Sequence, residues 1–124
     1  LIAGDGLPDL PGINKADGLR RMMNKPAFFE KVLRDVHTRT AEVPKLIRAA
    51  LANGDFATAE RHAHTTKGLA GTIGAAALQA AAASLEKPLH DRENPPDAVF
   101  AQFEQELHTV IAGIADGFGI KSDC

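Results

Sequence analysis

Five histidines, His37, His62, His64, His90 and His108, are the residues of this chain best suited to group-transfer chemistry. One of them has a distinctive setting: Ala63-His64-Thr65-Thr66-Lys67-Gly68-Leu69-Ala70-Gly71-Thr72-Ile73-Gly74-Ala75. A helix turns about 100° per residue, so with His64 at zero, Lys67 falls at roughly −60°, Gly68 at roughly +40° and Gly71 at roughly −20°. These four residues share one narrow stripe. Ala59, Thr66, Ala70 and Ile73 cluster on the opposite side, with Ala63 and Leu69 toward its flanks. The small and apolar side predicts packing into a core, which turns His64 toward solvent.

Imidazole is the side chain whose neutral, nucleophilic form is available near neutral pH. Lys67, one turn on from His64, can stabilise a phosphoryl group carried by the ring. Gly68 and Gly71 are each about 1 kcal/mol worse than alanine inside a helix. In an alanine-rich chain, two glycines beside one histidine suggest clearance for another protein's surface. Taken singly, a surface histidine is an ordinary solvated residue and a helix glycine an ordinary packing residue. The four together argue for chemistry.

The neighbours divide. Arg61 lies roughly +60° from His64 and can meet an acidic partner surface, although a solvated arginine is the default. His62 lies roughly 200° away, so the two histidines cannot chelate one ion; His62 reads as a core-edge residue. Glu86 can approach the histidine helix, but an ordinary surface charge is the favoured reading. No metal site is expected, because His37, His90 and His108 lack a second ligand at chelating spacing and the single cysteine is Cys124.

The elements that must position this stripe all read as helices. Residues 1–14, rich in Gly and Pro, read as a linker or extended arm lying on the domain. A short helix from Lys15 is expected to bury Leu19, Met22 and Met23. Asn24 is the expected cap of the next helix, with Pro26 in its first turn and Phe28, Phe29, Val32, Leu33 and Val36 on its inner face. Pro44 implies either a kink or two helices joined near residues 40–43. Asn53-Gly54-Asp55 reads as a stop and restart, and the histidine helix is expected from Phe56 to about Ile73, ended by Gly74. A further helix from about Ala75 carries Leu78, Ala81, Ala82 and Leu85 until Pro88 stops or bends it. Asn94 is the expected cap of a last helix reaching about Asp116, with Val99, Phe100, Phe103, Leu107, Val110, Ile111 and Ile114 inside. The predicted fold is all-α: an antiparallel four-helix bundle with an extra short N-terminal helix, spanning residues 15–117, and a flexible tail at 118–124.

Composition narrows the function. The chain has 124 residues, a net charge of −2, six Phe and neither Tyr nor Trp. This suits one soluble domain and offers neither the basic field nor the stacking platforms that nucleic-acid binding needs. No apolar run reaches membrane-spanning length, and the first ten residues do not form a signal peptide. The composition fits the cytoplasm.

The run His64-Thr-Thr-Lys67-Gly68, with Gly71 and then Ile73-Gly74-Ala75, resembles the histidine-containing phosphotransfer (HPt) domain of two-component signalling. Leu10-Pro11-Gly12-Ile13, Gly18-Leu19-Arg20, the stretch from Ala49 to Asp55, and Leu85-Glu86 extend the resemblance over roughly residues 10–115. Three positions depart from the family pattern: Thr66 in place of leucine, His62 in place of an apolar residue, and Pro44 within a helix that is often continuous. The resemblance implies a phosphocarrier in a multistep phosphorelay. His64 would accept phosphate at Nε2 from a receiver-domain aspartate and pass it to another receiver, with Lys67 stabilising the phosphoryl group and Gly68, Gly71 and Arg61 meeting the partner. It implies no ATP site and no cofactor of its own; Mg²⁺ comes with the partner receiver domain. The implied partners are response-regulator receiver domains and a parent histidine kinase, for a monomeric domain that touches neither nucleic acid nor membrane. The expected setting is the C-terminal end of a hybrid sensor kinase, cytoplasmic even where the kinase is membrane-anchored, with a free-standing carrier as the alternative.

Two other readings compete. The dimerisation domain of a histidine kinase carries an acidic residue directly after its histidine and often a proline soon after, whereas Thr65 follows His64 and the next proline is Pro88. A non-catalytic helical-bundle adaptor with an incidental surface histidine is the remaining alternative.

Overall fold

Side-chain chemistry at the helix ends sets the frame. The computed structural model describes residues 6–120. They form α1 (Lys15–Arg21), α2 (Pro26–Thr40), α3 (Val43–Ala52), α4 (Phe56–Ile73), α5 (Ala76–His90) and α6 (Asp97–Phe118), with no β-strand among the described residues. Asp55 caps α4: its Oδ1 accepts the Thr58 amide at 3.1 Å and its Oδ2 the Thr58 hydroxyl at 2.6 Å. These bonds hold the Asp55 carboxyl below its ordinary pKa. Gly74 ends α4 with φ +80, and Gly54 turns the chain into it with φ +68. Both are left-handed conformations that favour glycine.

Pro44 separates α2 from α3 by standing in the first turn of α3, where its missing amide has no partner to lose. α2 and α3 together occupy one position of a four-helix bundle completed by α4, α5 and α6. α4 packs on α5 and α3, α5 packs on α6, and α6 packs back on α2. The core holds Phe29, Leu33, Val36, Ile47, Ile73, Leu78, Leu85, Leu89, Phe103, Leu107, Val110 and Ile114. Val32, Val99, Phe100 and Ile111 are partly buried against it. The inner side of α4 is made of Ala59, Ala63, Thr66, Ala70 and Ile73, all buried. Thr66 gives its hydroxyl to the His62 carbonyl at 2.8 Å, so the polar residue where a leucine is usual leaves no orphaned group.

Residues 6–14 lie against the bundle. Leu7 and Leu10 are buried, and Pro11 and Pro8 lie against Gly113 and Gly117, one turn apart on α6. Asn14 gives its amide to the Gly74 carbonyl at 2.9 Å and caps α1 through its side chain. The N-terminal segment is thereby tied to the end of the histidine helix. Residues 1–5 and 121–124 lie outside the described residues.

Several local expectations need correction. Met23 is 74% exposed and Phe28 50% exposed. Asn24 does not cap α2. Met23 and Asn24 both take positive φ, and the Asn24 amide bonds the Leu19 carbonyl at 2.7 Å, so this pair closes α1 and turns Met23 outward. Pro88 does not stop α5, which continues to His90 because buried Leu89 anchors the last turn. Pro96, not Asn94, precedes α6. That helix runs past Asp116 to Phe118 and is closed by Gly119 at φ +65 and an Ile120 amide bond to Ala115 at 2.8 Å. The start of the expected tail is therefore ordered.

Gly54 and Gly74 separate two effects. A Cβ at Gly54 meets nothing within 4 Å, whereas one at Gly74 would lie 2.6 Å from the Asn14 carbonyl oxygen. Gly54→Ala should lose about 1–2 kcal/mol to the left-handed backbone alone. Gly74→Ala should lose a further 1–3 kcal/mol or so by overpacking. Urea denaturation of both variants checks this; equal losses would show that the Asn14 contact yields freely.

Candidate phosphoryl-transfer site

α4 presents His64 outward, with a side chain 66% exposed. The residue that organises it comes from α5. Leu85 and Leu89 enter the core, which turns Glu86 to the seam between α4 and α5. Glu86 Oε2 lies 2.7 Å from His64 Nδ1, and its Oε1 lies 2.7 Å from Lys67 Nζ. The expectation of an ordinary surface charge is overturned, since Glu86 is only 17% exposed and joins His64 to Lys67.

This contact decides which ring nitrogen is free. A carboxylate only accepts hydrogen bonds, so neutral His64 must place its proton on Nδ1. Nε2 then carries the free lone pair. Burial alone would raise the Glu86 pKa; the hydrogen bonds from Lys67 and His64, with their charges, outweigh it and hold the carboxyl below its ordinary value. Glu86 thus remains an acceptor at neutral pH.

The two glycines of the stripe differ. A Cβ at Gly68 would meet nothing within 4 Å, so the surface one turn beyond His64 is open. At Gly71 a Cβ would lie 2.7 Å from Gln79 Nε2, so that space belongs to the chain's own α5. Gly71 was expected to make room for a partner; the end of the exposed Gln79 side chain lies over it. Arg61 is exposed on α4, and His62 is partly buried with its carbonyl bonded to Thr66. Among the described residues no group of three or more His, Cys, Asp or Glu could hold a metal ion, and no helix is long and apolar enough to cross a membrane.

Comparison with known proteins identifies the family and the fold. The family model described as Hpt domain matches residues 31–117, more than half of the chain. The fold is similar to the crystal structure of the HPT domain from a Shewanella Hpt sensor hybrid histidine kinase. That match has a TM-score of 0.77 and 20% identity, and covers 93% of this chain and 100% of the other. No curated protein matches.

The depressed Glu86 pKa has a consequence for stability. A carboxyl whose folded pKa lies below its unfolded value stabilises the fold above the unfolded pKa and loses that contribution as pH falls through the folded one. Glu86→Gln should therefore be less stable than the parent at pH 7, and the gap should close on acidification through the carboxylate range. Urea denaturation at neutral and acid pH measures it. A gap that stays constant would show that the Glu86 charge does not contribute.

Proposed function

Since the chain belongs to the Hpt domain family, we propose that it is a phosphocarrier, with His64 the phosphoryl acceptor between receiver domains. The observation that carries this reading is the Glu86 contact, which occupies Nδ1 and leaves Nε2 of an exposed ring free above the open surface at Gly68.

The Nε2 lone pair attacks the phosphorus of an aspartyl phosphate on the receiver. The N–P bond forms as the P–O bond to the aspartate breaks, and the carboxylate leaves with the electron pair. The Nδ1 proton stays on the ring, donated to Glu86, whose negative charge balances the imidazole as it becomes positive. Transfer to a second receiver is the reverse reaction on a different aspartate. Mg²⁺ belongs to the receiver in this scheme and neutralises phosphoryl charge there. Lys67 has three donors, so it can keep Glu86 and still offer a hydrogen to a phosphoryl oxygen. Little covalent help is required, because phosphoryl transfer depends mainly on alignment and charge. In the fuller form of this reading the domain is the C-terminal module of a hybrid sensor kinase. Its likeness in fold to the Shewanella HPT domain of such a kinase supports the kinase parentage.

The test uses radiolabelled phosphoryl transfer from purified, phosphorylated receiver domains. The parent should take up acid-labile phosphate. His64→Gln should take up none, and His62→Gln should remain close to the parent. Gly68→Gln should fold normally yet slow transfer on the order of 10-fold or more by crowding the approach. Full labelling of His64→Gln would overturn the assignment.

A further inference from the structure

The seam between α4 and α5 holds a second crossed pair. His90 Nδ1 on α5 lies 2.8 Å from Glu60 Oε2 on α4, and the His90 side chain is 73% exposed. Glu60 precedes His64 by four residues, as Glu86 precedes His90. The two antiparallel helices therefore exchange the same contact in both directions: histidine on α4 to glutamate on α5, and histidine on α5 to glutamate on α4.

The two pairs differ in charge. Glu86 is shared with Lys67, whereas among the described residues His90 is the only ion-pair partner of Glu60. The hydrogen bond and charge of Glu60 raise the His90 pKa against the opposing effect of burial, with smaller help from Asp91 and Glu86. Lys67 from α4 and Lys87 from α5 line the same cleft and are the cations facing it. His90 is thus inclined to be an imidazolium where a free histidine is not.

Position gives this charge a use. A specific protein–protein contact covers about 800 Å² on each partner, a patch about 30 Å across. His90 stands four residues, about 6 Å along α5, from the Glu86 that holds His64. A receiver that reaches His64 therefore also covers His90.

We propose that the His90–Glu60 pair is a proton-dependent docking contact for the receiver domain, in which protonated His90 keeps Nδ1–H on Glu60 and donates Nε2–H to an oxygen acceptor on the partner. This inference rests on the phosphocarrier reading. Receiver binding should tighten as pH falls through the His90 titration and relax above it.

The experiment measures affinity by calorimetry between pH 6 and 8.5, using a receiver domain that transfers phosphate to the parent protein. Loss of the His90 charge should weaken parent binding roughly three- to fivefold across that range. The difference between parent and His90→Gln removes every contribution that both share. His90→Gln should bind at the parent's high-pH level throughout, and His90→Lys should retain the tighter level at both ends. Glu60→Gln should move the midpoint to lower pH. Circular dichroism confirms that each variant is helical. If His90→Gln keeps the parent's affinity and pH profile while transfer to His64 proceeds, the docking role is wrong and the carrier reading stands. If no receiver transfers phosphate to the parent, both fall together.

Discussion

Glu86 divides its two oxygens between His64 and Lys67, and that arrangement requires two helices to hold a fixed register. His64 and Lys67 come from α4 and the carboxylate from α5. A slip of one residue would turn Glu86 on α5, or His64 and Lys67 on α4, about 100° away from the seam. The register is fixed by groups remote from the His64 ring. Asp55 begins α4, Gly74 ends it against Asn14, and the buried leucines of α5 set the rotation at which Glu86 emerges. The bundle places one carboxylate against one imidazole nitrogen, and the free nitrogen follows from the chemistry of that pair.

Local determinants were legible in the residues. Asp55, Gly54 and Gly74 act through their own backbone neighbourhood, so both ends of the histidine helix follow from side-chain chemistry. The apolar period of α4 placed Ala59, Ala63, Ala70 and Ile73 inward and His64 outward, as found. Pro44 marked a break between α2 and α3 for the same local reason. Asn24 was misread because asparagine suits both a helix start and a left-handed turn, and Asn94 because Pro96 stands before α6 in its place. At Asn24 the bond to Leu19 decided for the turn.

Pairing across helices was not legible, because a period on one helix carries no information about which turn of another lies opposite. Glu86 looked like any surface carboxylate for that reason. The spacing of Glu60 to His64 and of Glu86 to His90 suggests contacts within each helix, yet the bonds cross between helices. Gly68 and Gly71 share a stripe by rotation alone. Their different environments arise because Gln79 of α5 covers one and leaves the other bare.

Nitrogen-15 NMR of the His64 ring, recorded where the imidazole is neutral, tests the arrangement most directly. The Glu86 contact predicts that the proton resides on Nδ1, with Nε2 showing the shift of an unprotonated nitrogen. In Glu86→Ala that preference should weaken. A parent protein whose neutral His64 carries its proton on Nε2 would contradict the account, because the exposed nitrogen would then have no lone pair to offer.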